Sequence, residues 1–170
     1  MLRVVVIGLL LVTAILLQTS LFPFIALGGV RPDLLLLVVV GVALSDGVMS
    51  GLRVGFTAGV MTDLLVDQAP VGLAALVFTG VGYTIGLARP YLAPGSLTAP
   101  ILLAFLSGLL GTAGYGVLSL LLGDERVTGA MLLHASASVA IYNTLLAPIV
   151  FGLVRRLSDR FPLEAAGVLR

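Results

Sequence analysis

Apolar residues run through this chain in long stretches broken by single charges. Counted as residues between successive Asp, Glu, Lys or Arg, the main stretches are 4–30 (27 residues), 34–45 (12), 54–62 (9), 68–88 (21), 90–123 (34) and 127–154 (28). A helix needs about 20 apolar residues to cross a hydrocarbon core of about 30 Å. Four stretches meet that length alone. Residues 32–65 would make one straight helix of about 50 Å at 1.5 Å per residue, far beyond a single crossing. Turn chemistry at Asp46-Gly47 and Ser50-Gly51 divides this segment into two short helices. The rival reading is a re-entrant hairpin with both turns on one side of the membrane.

The pattern thus predicts an all-α integral membrane protein, a six-transmembrane-helix bundle with short loops. The helices fall at about 4–26, 32–49, 51–67, 71–88, 97–122 and 130–157. Gly28-Gly29 and Pro32, Gln68-Ala69-Pro70, Arg89-Pro90 with Pro94-Gly95, and Gly123 to Arg126 punctuate the links. All links are short, so residues 1–170 read as a single membrane domain. The start, Met1-Leu2-Arg3 and an apolar run, resembles a signal peptide. The run continues past Gln18-Thr19-Ser20 and no Ala-x-Ala cleavage site follows, so it reads as a retained first span. Toward the C-terminus, Leu153, Val154, Leu157 and Phe161 fall on one helical face and Arg155, Arg156, Asp159 and Arg160 on the other. This predicts a cytoplasmic amphipathic tail at about 154–170 lying along the lipid surface.

Composition agrees with lipid as the main solvent. Hydrophobic residues make up 59% of the chain and charged ones 10%, against about 25% charged in an ordinary soluble domain. Mean hydropathy is +1.22. All nine cations are Arg, and the net charge of +1 carries no nucleic-acid footprint. With six spans, Arg3, Arg53, Arg89, Arg155, Arg156, Arg160 and Arg170 share one side, and Arg31 and Arg126 the other. That asymmetry predicts that both termini are cytoplasmic. There is no Cys and one His, His134, so a thiolate or multi-His metal site and a thiol nucleophile are excluded. No metal, cofactor or catalytic residue is expected.

Gly51, Gly55 and Gly59 recur every four residues, and Asp63 and Asp67 continue the spacing. Small residues at that period let helix backbones approach closely. The ladder therefore serves either packing inside the bundle or docking of another membrane protein. Ala104, Gly108, Thr112 and Gly116 repeat the device, and Ser136, Ala140 and Asn143 share a face of the last helix. Asp33, Asp46, Arg53 and Asp63 are intramembrane ionisable candidates, each also placed where it could reach headgroups from a helix end. Asp63 has a second possibility, a buried pair with Arg31 or Arg126. Gly59, Asp63 and Asp67, with Asp46-Gly47, match part of the signature of CDP-alcohol phosphatidyltransferases. The upstream half fails, since Ala43 and Ser50-Gly51 stand where that signature needs Asp and Ala-Arg.

Taken in order, several segments resemble a known family. Arg31-Pro32-Asp33-Leu34-Leu35-Leu36 opens the second span. Gly51-x-x-x-Gly55-Phe56-x-x-Gly59-x-x-x-Asp63-Leu64 forms the third. Pro70-x-Gly72-x-x-Ala75-Leu76 begins the fourth, and Tyr142-Asn143-x-Leu145-Leu146-x-Pro148 lies in the last. The whole resembles the rod shape-determining protein MreD family. The resemblance implies a multi-pass protein of the bacterial cytoplasmic membrane, a non-enzymatic scaffold in peptidoglycan synthesis during cell elongation. It implies MreC as the direct partner, with RodA and its penicillin-binding transpeptidase alongside, MreB indirectly, and no nucleic acid. The helix arrangement of that family is similar to the substrate-binding subunits of energy-coupling-factor transporters, so the alternative is a vitamin-type small-molecule-binding subunit. The residues singled out for helix packing or partner binding are Gly51, Gly55, Gly59, Asp63, Arg31, Pro32, Asp33 and Asn143.

Overall fold

The computed structural model describes residues 2–20, 29–65, 71–93, 96, 98–124 and 127–161. Among them are six α-helices and no strand: α1 (Leu2–Ser20), α2 (Leu34–Asp46), α3 (Val48–Asp63), α4 (Leu73–Ala88), α5 (Thr98–Leu121) and α6 (Gly129–Arg160). A 3-10 turn, Arg89–Tyr91, follows α4.

The centre of the bundle is α2. Residues 34–43, Leu-Leu-Leu-Leu-Val-Val-Val-Gly-Val-Ala, are all buried. A helix apolar on every side has no polar face to offer water and is stable only when enclosed. The other five helices enclose it. The three consecutive valines are individually poor helix formers, but packing on all sides outweighs a few tenths of a kcal/mol of propensity. Leu11 and Ala14 of α1, Val54 and Ala58 of α3, Phe78 of α4, Ala104 of α5, and Ala147 and Val154 of α6 complete the core.

Direction alternates through all six helices. Gln18 near the end of α1 meets the start of α2, and Arg3 at the start of α1 meets Asp46 at the end of α2. Asp63 at the end of α3 meets the start of α4, and Val48 at the start of α3 meets Gly86 near the end of α4. One end of the bundle thus carries Arg3, Arg53, Arg89 and the α6 arginines, and the other carries Arg31.

The predicted helices 32–49 and 51–67 are corrected to Leu34–Asp46 and Val48–Asp63. A single residue, Gly47, separates them, with φ +86°. Glycine alone adopts that backbone without a steric penalty. Met49, Ser50 and Gly51 are helical, so the second expected break is absent. Gly51 instead faces α4. At about 20 and 24 Å by their residue counts, α2 and α3 fall short of a full hydrocarbon core. Four helical segments, Leu2–Ser20, Leu73–Tyr91, Thr98–Leu121 and Gly129–Arg160, are long and apolar enough to cross a membrane.

Two helix pairs flank the core. In the first, α3 and α4 touch backbone to backbone. A Cβ at Gly51 would overlap the Gly82 carbonyl, one at Gly55 the Phe78 carbonyl, and one at Gly59 the Ala75 backbone. The relation is reciprocal: a Cβ at Gly82 would strike the Gly51 carbonyl, and one at Gly86 would lie 2.6 Å from Val48 Cα. In the second pair, Gly108 of α5 leaves room for Ala140 of α6, where a Cβ would come within 2.9 Å of its Cα. The last helix runs on without interruption through Pro148 to Arg160. Val154 is buried and Leu157 and Phe161 are half-buried, while Arg155, Arg156, Asp159 and Arg160 are exposed. Of the tail face expected on the lipid surface, Leu153 is exposed, while Val154, Leu157 and Phe161 are turned to the bundle. Residues 162–170 of the predicted tail lie outside the described residues.

Candidate functional site

The first amides of a helix have no partner within it, and in a low-dielectric bundle each unsatisfied group costs several kcal/mol. Three segments satisfy those of α2. Asp33 caps the helix, its Oδ1 accepting from Leu36 N at 3.0 Å. Gln18 Oε1 of α1 accepts from Leu34 N at 3.1 Å and Leu35 N at 3.4 Å. Asn143 Oδ1 of α6 accepts from Asp33 N at 3.0 Å. Asn143 is fully buried, and its Nδ2, like Ser136 Oγ, has no hydrogen-bond partner. That amide nitrogen lies at the α5 interface, 3.3 Å from where a Cβ on Gly108 would stand.

The start of α4 is fastened by a residue from another helix. Its own cap position is Gly72, which has no side chain to accept a hydrogen bond. The Asp63 carboxylate, 5% exposed, substitutes for it. It accepts from Gly72 N at 3.0 Å, Ala74 N at 2.9 Å and Ala75 N at 3.0 Å. A carboxylate also suits the positive end of the helix dipole. Asp63 is thus buried on backbone amides, where a headgroup contact was expected, and it pairs with no cation among the described residues. Arg126 and Asp67 lie outside the described residues.

At the opposite end Arg3 is the hub. Its guanidinium pairs with Asp46, both side chains 6% exposed, with Nε 3.0 Å from Oδ2. It also donates to Leu157 O at 3.1 Å, Phe161 O at 2.9 Å and Ser158 Oγ. One cation thereby joins the start of α1, the end of α2 and the carbonyl end of α6. Asp46 is consequently buried and paired, where a headgroup contact was expected, while Arg53 is exposed. Asp46 and Asp63 lie at opposite ends of the bundle, each fully engaged. No group of three possible metal-ligating residues occurs among the described residues.

Next to the capped start of α2 is a cavity of about 250 Å³. Gln18, Arg31, Pro32 and Asp33 line one side, Thr62, Ala74 and Phe78 of the α3/α4 pair another, and Gly111, Thr112, Tyr115 and Val139 of α5 and α6 the rest. The residues singled out from sequence therefore separate into groups. Arg31, Pro32 and Asp33 meet at this cavity with Asn143 behind them, and Asp63 adjoins it through Thr62 and Ala74. Gly51, Gly55 and Gly59 face α4 along its length. His134 is exposed on α6 and takes no part. Sequence reasoning missed Gln18 and Arg3. The signal for Gln18 was available: it is the one amide side chain inside the first 27-residue uncharged stretch.

The sequence profile of the rod shape-determining protein MreD family matches residues 1–157. Comparison with curated proteins and with solved structures gave no match. The match covers most of the chain, and the chain belongs to the MreD family.

Proposed function

We propose that this protein is a non-enzymatic membrane scaffold of the cell-elongation machinery, binding MreC and, through it, working beside RodA, its penicillin-binding transpeptidase and MreB. The observation that carries the reading is membership of a family that determines rod shape. The architecture supports it. The intramembrane charges Arg3, Asp46 and Asp63 are used to fasten helices, as a scaffold requires. The proposed orientation has six crossings of the cytoplasmic membrane, with the arginine-rich end and both termini in the cytoplasm. In that frame the Arg31 end and its cavity face outward, toward the wall.

Affinity purification in mild detergent, followed by identification of the co-eluting proteins, tests the partner. A single-span protein with an extracytoplasmic domain is the expected outcome. An ATPase-bound membrane subunit would instead favour the transport reading. For orientation, a cysteine placed at Val71, which is exposed, should be labelled by an impermeant reagent in intact cells. Labelling only after lysis would reverse the topology.

A further inference from the structure

We infer that the cavity at the start of α2 binds a zwitterionic headgroup, one carrying a primary ammonium and a phosphate, and that its occupant is an ethanolamine-type phospholipid. The inference rests on the membrane reading and is independent of any protein partner.

The lining is chemically unfinished. Arg31 forms no ion pair or hydrogen bond among the described residues, and the hydroxyls of Thr112 and Tyr115 have no hydrogen-bond partner there. Asp33 spends one carboxylate oxygen on Leu36 N and Gln18 spends its carbonyl on Leu34 and Leu35. The Asp33 carboxylate also draws on the Leu35 amide, and the Gln18 amide nitrogen has no partner among the described residues. Beneath these groups the wall is apolar, with Pro32, Ala74, Phe78 and Val139 buried. Arg31 is exposed and Gln18, Asp33, Thr112 and Tyr115 are half-buried, so these groups are open to whatever fills the cavity.

The charges specify what that something carries. Arg31 and Asp33 are two residues apart, no more than about 7 Å along an extended chain, yet they do not pair with each other. A purely anionic ligand would answer Arg31 and be repelled by Asp33; a purely cationic one would do the reverse. A ligand with both charges compensates both. A phosphate suits Arg31 and the neighbouring hydroxyls, and an ammonium with N–H donors suits Asp33. The volume lies just below the range of about 300–1,000 Å³ of drug-sized pockets, which fits a headgroup and excludes a nucleotide. The cavity lies beside the ends of α1 to α4, at Gln18, Asp33, Thr62 and Ala74, and reaches inward to Gly111, Thr112 and Tyr115 of α5 and Val139 of α6, so it offers both polar and apolar walls.

The test uses the full chain, delipidated in maltoside detergent, with lipid binding followed by native mass spectrometry. Short-chain phosphatidylethanolamine, phosphatidylcholine, phosphatidylglycerol and free phosphoethanolamine are the probes. Wild type should bind the ethanolamine lipid about tenfold or more tighter than the choline lipid, which lacks N–H donors, or the glycerol lipid, which lacks the cation. Asp33→Asn keeps a capping oxygen for α2 and Arg31→Gln changes an exposed side chain, so both should fold. Both should lose the preference, while Arg53→Gln at the far end should keep it. Competition by free phosphoethanolamine would show that the headgroup chemistry suffices. Binding of free phosphoethanolamine as tight as that of the lipid would assign the site to a soluble zwitterion and overturn the lipid assignment. Equal binding of the three lipids, or a preference unchanged in both variants, would overturn the inference altogether.

Discussion

The α3/α4 pair and the α1/α2 pair are held by opposite means. Along α3 and α4 the backbones touch from Gly51–Gly82 to Gly59–Ala75, so contact is continuous and made by the absence of side chains. Along α1 the contact with α2 is sparse. Leu11 and Ala14 are its buried apolar residues, and most of its length is exposed. What fastens it is polar and lies at its two ends: Arg3 on Asp46, and Gln18 on the first amides of α2. In lipid there is no hydrophobic drive between helices. A helix must therefore either fit closely or be tied by hydrogen bonds, and this bundle uses one method for each pair.

Substitutions that attack each method separately should break the comparison in a graded way. The largest effect is expected at Gly55→Leu. Its side chain would have to displace the Phe78 carbonyl, a backbone atom with nowhere to move, so little monodisperse protein should survive detergent extraction by size-exclusion chromatography. Next comes Arg3→Ala. Removing one partner of a buried pair leaves Asp46 uncompensated and should cost about 3–5 kcal/mol. Adding Asp46→Leu to Arg3→Ala should recover much of that loss in thermal unfolding. If the double variant is no better than the single one, the carbonyl contacts of Arg3 to α6 carry the load. A smaller effect, about 1–3 kcal/mol, is expected for Asp63→Asn, which keeps one acceptor oxygen for α4 but loses the charge. The smallest is Gly80→Ala. A Cβ there meets nothing within 4 Å, so the change should be neutral or stabilise by up to about 1 kcal/mol. Gly82→Ala, two residues along the same helix, should be clearly destabilising.

Much of this contrast was legible in the sequence and some was not. Helix positions follow from the length of apolar stretches, so the fourth, fifth and sixth helices lie within a few residues of their predicted bounds. The glycine period on α3 pointed to close approach, but its counterpart on α4, Gly82 and Gly86, shows no four-residue run of small residues through Phe78. The tie at Arg3 was hidden for a physical reason. A charge beside an apolar stretch looks the same whether it reaches a headgroup or another helix, and only the tertiary fold brings Asp46 and the α6 carbonyls to it. Asp63 was singled out, yet its partners were backbone amides, which carry no sequence signature. The central position of α2 was also missed. A short, uniformly apolar stretch reads as a weak span until five helices are seen around it.

The central claim is that the glycine ladder is internal packing and not a docking face for the proposed partner, MreC. Thermal unfolding of Gly59→Leu in detergent, measured with and without MreC, tests it most directly. The account predicts a marked loss of stability in the isolated protein, with any loss of MreC binding following from it. Wild-type stability in isolation together with failure to capture MreC would contradict the claim and make the ladder the partner's seat.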